Sequence, residues 1–188
     1  MDRETFDGLS NRKKKVLLHL EKTLFSPLGN AQYIKTDKGE YDLDSVDFVL
    51  MEPSEEFDYF YLSTVGLSRY QFDFSFARSE IGIVLPKSFD RNLNKKENFW
   101  PLQLLSEIVF SSIDNILPIT LNRIYLVTEE KREEFGENVG GVVTLPEIMD
   151  TSFIEEKIDD TYTRFYLLVP LTSSQVAKPQ DIGVREKQ

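Results

Sequence analysis

Between Glu80 and Asp114 the chain passes from a short apolar run through a polar loop into a long stretch of helical periodicity. Ile81, Ile83, Val84 and Leu85 are apolar and mostly β-branched, which predicts a buried strand, and Pro86 stops it. Trp100 and Pro101 then open a helix. Proline suits a first helical turn, where its missing N–H would have had no partner. Leu104, Leu105, Ile108, Val109, Ser112 and Ile116 follow at helical spacing and predict one broad, mainly apolar face. Leu117 and Pro118 close the predicted helix.

On the N-terminal side, residues 1–9 read as a mobile tail. Ser10 or Asn11 caps a first helix that runs to about Phe25, with Val16, Leu17, Leu20 and Leu24 inward. Ser26, Pro27 and Gly29 end it. Strands are expected at 31–36, 46–51 and 57–64, with a hairpin turn at 37–39 and a break at Gly66 to Ser68. Residues 70–76 place Tyr70, Phe72, Phe74 and Phe76 at strict period two, the pattern of a half-buried strand. Past the central helix, 123–128, 142–145 and 164–171 read as strands, with a tight turn at Gly140 and Gly141. Residues 153–160 are acidic and ambiguous, and Pro170 places its strand at an edge or near an end. The sum is an α+β fold: a mixed, mainly antiparallel sheet packed by two principal helices. We expect one domain over 1–188, with a core at about 10–177 and both ends mobile.

Composition changes this picture in three ways. The chain has no cysteine, which removes disulfides, thiolate metal sites and cysteine nucleophiles. It has neither a signal-peptide core nor a membrane-length apolar run, so a cytoplasmic location is expected, with no membrane contact. Its net charge of −10 repels the phosphate backbone, so no nucleic-acid partner is expected. The basic run Arg12 to Lys15 reads as a solvated helix face, and a basic protein partner suits the total charge.

The search for catalytic chemistry finds little. His19 is the single histidine and has no partner at a metal-ligating or catalytic spacing. There is no GxSxG, no phosphate-cradling glycine loop and no HExxH. No calcium loop is present either, since Asp42 and Asp44 lack the later glycine and glutamate. Asp58, Asp73 and Glu80 lie on or beside predicted strands and are the carboxylates available for acid–base work. No catalytic residue, cofactor or metal is assigned.

Several motifs, in order, resemble the Suppressor of fused family in its short bacterial form. Ser79 to Pro86 is similar to the family's E-L-apolar-apolar-x-L-P strand. Trp100 to Leu105 is similar to its W-P-x-x-L-L helix start. Phe165 to Leu171 is similar to its F-Y-x-L-apolar-P-L strand. Thr64 to Ser68 resembles its T-x-G-L-S turn, and Gly141 to Pro146 its penultimate strand. The family's closing helix is longer and more acidic than the segment from Ser173 to Ala177. Trp100, Leu104, Leu105, Phe165 and Tyr166 are expected in the core and not at a contact surface.

Animal members hold a transcription-factor peptide between two lobes, and a chain of 188 residues has no room for the second. For the bacterial type the resemblance implies a non-enzymatic, protein-binding domain, an immunity protein that neutralises a polymorphic toxin by direct binding. The alternatives are a regulatory scaffold for an endogenous protein partner or an enzyme with a carboxylate site. Exposed sheet edges come first as partner surfaces. After them come the acidic runs: Glu129, Glu130, Glu133 and Glu134, then Asp159 and Asp160.

Overall fold

The computed structural model describes residues 1–36, 46–70, 78–114, 119, 124–126, 139–145, 155–158 and 161–172. Among these, eight strands form one sheet: β1 (Gln32–Ile34), β2 (Asp47–Met51), β3 (Tyr59–Val65), β4 (Arg78–Pro86), β5 (Ile124–Leu126), β6 (Val139–Leu145), β7 (Glu155–Ile158) and β8 (Thr161–Thr172). Their order is β1-β2-β3-β4-β8-β6-β5, and β7 also pairs with β8. Only the β4–β8 pairing is parallel, so the expected mixed, mainly antiparallel sheet is found. Pro170 lies beyond the last β4–β8 pair, Ile83 with Leu168, where its absent N–H leaves the β4 ladder intact.

Among the described residues, three α-helices accompany the sheet: α1 (Arg3–Asp7), α2 (Asn11–Leu24) and α3 (Trp100–Asp114). The two principal ones cover opposite faces. Strand side chains alternate across the sheet, so Phe48, Leu50, Phe60, Leu62, Ile81, Ile83, Tyr166 and Leu168 meet Leu104, Leu105 and Ile108 of α3 in one cluster. Val49, Met51, Tyr61, Val65, Phe165 and Leu167 meet Val16, Leu17, Leu20 and Leu24 of α2 in another. Ile83, Leu105 and Leu168 share the first cluster, as the motif reading requires. Leu104, Leu105, Phe165 and Tyr166 are buried, and Trp100 packs partly buried against the α3 cluster. The family-like motifs therefore lie largely in the interior.

One local expectation is corrected and two are filled in. Residues 1–9, expected as a tail, contain α1, which Asp2 caps by accepting from the Thr5 N–H at 2.7 Å and the Thr5 hydroxyl at 3.1 Å. Gly140 and Gly141 lie inside β6, and the pairing with β8 shifts register between Val139 and Gly141, so the glycines permit a bulge and not a turn. The ambiguous segment contains β7. The hairpin at 37–39, the aromatic alternation at 71–76 and the closing segment at 173–177 lie outside the described residues.

Candidate functional site

Glu80, the acid of the E-L-apolar motif, is fully buried. Its carboxylate accepts three neutral donors from the T-x-G-L-S turn. Oε2 takes the Thr64 hydroxyl at 2.6 Å, and Oε1 takes the backbone N–H groups of Gly66 and Ser68, each at 3.0 Å. Thr64 Oγ1 in turn accepts the Ile81 N–H at 3.0 Å, which binds the turn to β4. Gly66 sits at φ 109°, a left-handed conformation that favours glycine. Burial raises the Glu80 pKa, and the donors from Thr64, Ser68 and Gly66 oppose that rise. Two of the family-like motifs are thus halves of one clamp.

Arg69, directly after the clamped turn, lines a polar groove. Arg12 and Arg78 guanidinium groups donate to the Ser68 carbonyl from the other side, at 3.4 and 3.3 Å. The groove is about 660 Å³ and is lined by Asp2, Thr5, Lys13, Tyr33, Asp47 and Arg69, among others. At its floor Asp47 is fully buried. Its Oδ2 accepts from Lys13 Nζ at 2.6 Å and from the Tyr33 hydroxyl at 2.5 Å, while Oδ1 accepts the Thr36 N–H at 3.1 Å. Burial and the neighbouring carboxylate push the Tyr33 phenol far up, so it is a fixed donor and not a base. The groove offers hydrogen bonds and charge, with its buried acid, Asp47, already paired to Lys13.

Sequence reasoning missed Asp47, because a lone acid at the head of the apolar run Phe48 to Met51 carries no signal of its own. It also misjudged the basic run. Lys13 reaches the buried Asp47, and Arg12 reaches Ser68 and Thr161, so these two are ties and not a solvated face. His19 is buried, its ring stacked at 4.5 Å on Phe165.

Of the carboxylates weighed for acid–base work, the two that are described, Asp58 and Glu80, do not converge. Asp58 is exposed and pairs with Lys87 at 2.6 Å, beyond the Pro86 end of β4. Glu80 lies near the opposite end, about 20 Å away along the strand at ~3.3 Å per residue. Asp73 lies outside the described residues, as do Glu129, Glu130, Glu133, Glu134, Asp159 and Asp160. Among the described residues, no group of three or more His, Asp or Glu could hold a metal ion, and no helix is long and apolar enough to cross a membrane.

Comparison with known proteins bears on the fold and the family. No curated protein matches the chain in sequence. A Suppressor of fused homologue from Neisseria gonorrhoeae FA 1090 superposes with a TM-score of 0.62 at 15% identity, over 89% of this chain and 81% of that one. A chain of the Sufu–Fu complex superposes with a TM-score of 0.64 at 14% identity, over 90% of this chain and 79% of that one. At such identities the likeness speaks for the fold. The family model of the Suppressor of fused protein (SUFU) matches residues 42–185, well over half of the 188, and the match takes in both halves of the Glu80 clamp and the α3 and β8 motifs. The chain belongs to the Suppressor of fused family.

Proposed function

We propose that this protein is a cytoplasmic, non-enzymatic binding domain that acts as an immunity protein, neutralising a polymorphic toxin by direct contact. The observation that carries the reading is the kinship with a fold of which one member is known in the Sufu–Fu complex. Support also comes from carboxylates that are tied or far apart, because a catalytic pair would need to converge on one substrate. The net charge of −10 favours a basic toxin, which a negative surface attracts from a distance. Glu129, Glu130, Glu133 and Glu134, with Asp159 and Asp160, are the proposed contact residues.

The test is co-expression of the full chain with toxin domains encoded beside it, followed by calorimetry on the purified pair. Growth should be rescued, with affinity on the order of nanomolar that weakens as salt rises. Replacing Glu129, Glu130, Glu133 and Glu134 with lysine should weaken binding by at least ~tenfold. Failure to bind any neighbouring toxin, together with a stable complex with an endogenous host protein, would replace this reading with that of a regulatory scaffold.

A further inference from the structure

The connection from β2 to β3 carries a surface that neither the core nor the groove uses. Residues 52–58 read Glu-Pro-Ser-Glu-Glu-Phe-Asp, and they close the hairpin in which Met51 pairs with Tyr61. Phe57 turns inward and is buried in the α2 cluster with Leu24 and Tyr61. Its N–H donates to the Ser54 hydroxyl oxygen at 2.9 Å, and that hydroxyl donates to the Leu24 carbonyl at 2.8 Å. The Ser26 hydroxyl donates to the Glu52 carbonyl at 2.7 Å. Ties on both sides of Phe25 thus hold it beside the hairpin.

Two aromatic rings stay outside. Phe25 is 60% exposed, and Tyr59, whose ring lies 5.7 Å from that of Phe57, is 48% exposed. Around them some charges are answered and others are not. Glu52 pairs with Arg91, and Asp58 pairs with Lys87. Glu55 and Glu56 are exposed and meet no cation among the described residues. Lys22, in the last turn of α2, offsets one of these two charges at most. The surface is therefore aromatic and negative.

We propose that the β2–β3 hairpin and Phe25 form a docking surface for a basic segment of a partner protein. Its arginine side chains would lie over the Phe25 and Tyr59 rings and against Glu55 and Glu56. Charge and ring chemistry select this occupant, because a guanidinium can stack on an aromatic face and meet a carboxylate at once. A second copy of the chain, docked symmetrically, would set Glu55 and Glu56 against their own counterparts. An anionic bilayer would be repelled by the same two acids. The assignment rests on the binding reading above and deepens it, since it gives the expected basic partner a place on the hairpin and the end of α2.

The experiment titrates the isotope-labelled full chain with a synthetic peptide that alternates arginine with leucine, and with the same peptide carrying citrulline for arginine. The arginine peptide should shift the amide resonances of the hairpin and of Phe25, and the citrulline peptide should leave them in place. Glu55→Gln with Glu56→Gln should weaken binding about tenfold. Asp7→Asn with Glu97→Gln, the same change of charge elsewhere on the surface, should leave it unchanged. Phe25→Gly should weaken binding without lowering the melting temperature, because glycine suits the left-handed cap at φ 51°. The proposal is overturned if both peptides act alike, if the two double variants lose affinity equally, or if sedimentation shows the chain pairing with itself through this surface. Toxin rescue that survives Glu55→Gln with Glu56→Gln undiminished would remove the surface and leave the toxin reading standing. An arginine peptide mapped to the hairpin, with no neighbouring toxin bound, would keep the surface and remove that reading.

Discussion

Asp47 and Glu80 are neighbours at one end of the sheet, both fully buried, and each has its charge answered in a different currency. Asp47 meets a cation, Lys13, together with the Tyr33 hydroxyl and the Thr36 N–H. Glu80 meets dipoles instead: among the described residues, one hydroxyl and two backbone N–H groups. An ion pair ties two distant segments with two side chains, and losing one leaves the other charge stranded. A ring of dipoles gathers a local turn and spreads the same task over several weaker donors. The difference matches position. Asp47 joins α2 to β2 at the groove, whereas Glu80 shapes the turn that leads into Arg69 on its lining.

The largest effect is expected where a single partner carries the charge. Lys13→Met should leave Asp47 buried with only neutral donors and cost about 3–5 kcal/mol, since the lysine is itself only 12% exposed. The measurement is the urea midpoint at unchanged slope. Adding Asp47→Asn should recover part of the loss. A loss below about 1 kcal/mol would mean that groove water solvates Asp47 well enough to erase the contrast.

Glu80 should tolerate more. Thr64→Val keeps the shape but removes the hydroxyl that both donates to Glu80 and accepts from Ile81, so a loss of about 1–3 kcal/mol is expected. Glu80→Gln should cost less than that, about 1 kcal/mol or under, because its carbonyl can still accept the Gly66 and Ser68 N–H groups. A Gln variant that falls as far as Lys13→Met would break the distinction between charge held by dipoles and charge held by a countercharge.

How much of this was legible in the chain follows the same division. The core was readable, because Val16, Leu17, Leu20 and Leu24, and again Leu104, Leu105, Ile108 and Val109, repeat at helical spacing, and short apolar runs mark β2 and β4. Glu80 was visible as a motif position. That it clasps Thr64, Gly66 and Ser68 was not, because the two strands must first be paired before residues sixteen, fourteen and twelve positions apart can meet. The Asp47–Lys13 pair spans 34 positions and leaves no periodic trace at all. The basic run on α2 was hidden differently. Lys13 and Lys15 look alike in sequence, and only the packed helix shows one turned to Asp47 and the other exposed.

The smallest effect concerns pH, and here the two kinds of environment should slope in opposite directions. Burial raises the Glu80 pKa above its ordinary 4.5, so over a range above that value the folded state binds a proton that the unfolded chain has lost. Stability from this group is therefore full below about 4.5 and declines as pH rises towards the folded value. The exposed Asp90 behaves conversely. Lys95 and the Asn92 N–H hold it down to about 2, so its contribution is full above 3.8 and fades as pH falls from there towards 2. Denaturant titrations of the wild type and Glu80→Gln, run from acid to neutral pH, should show the difference moving in favour of glutamine as pH rises. Asp90→Asn should instead flatten only the acid limb. A flat Glu80 difference across that range would mean that three dipoles fully offset burial, and the clamp would then be as complete an answer to charge as the ion pair beside it.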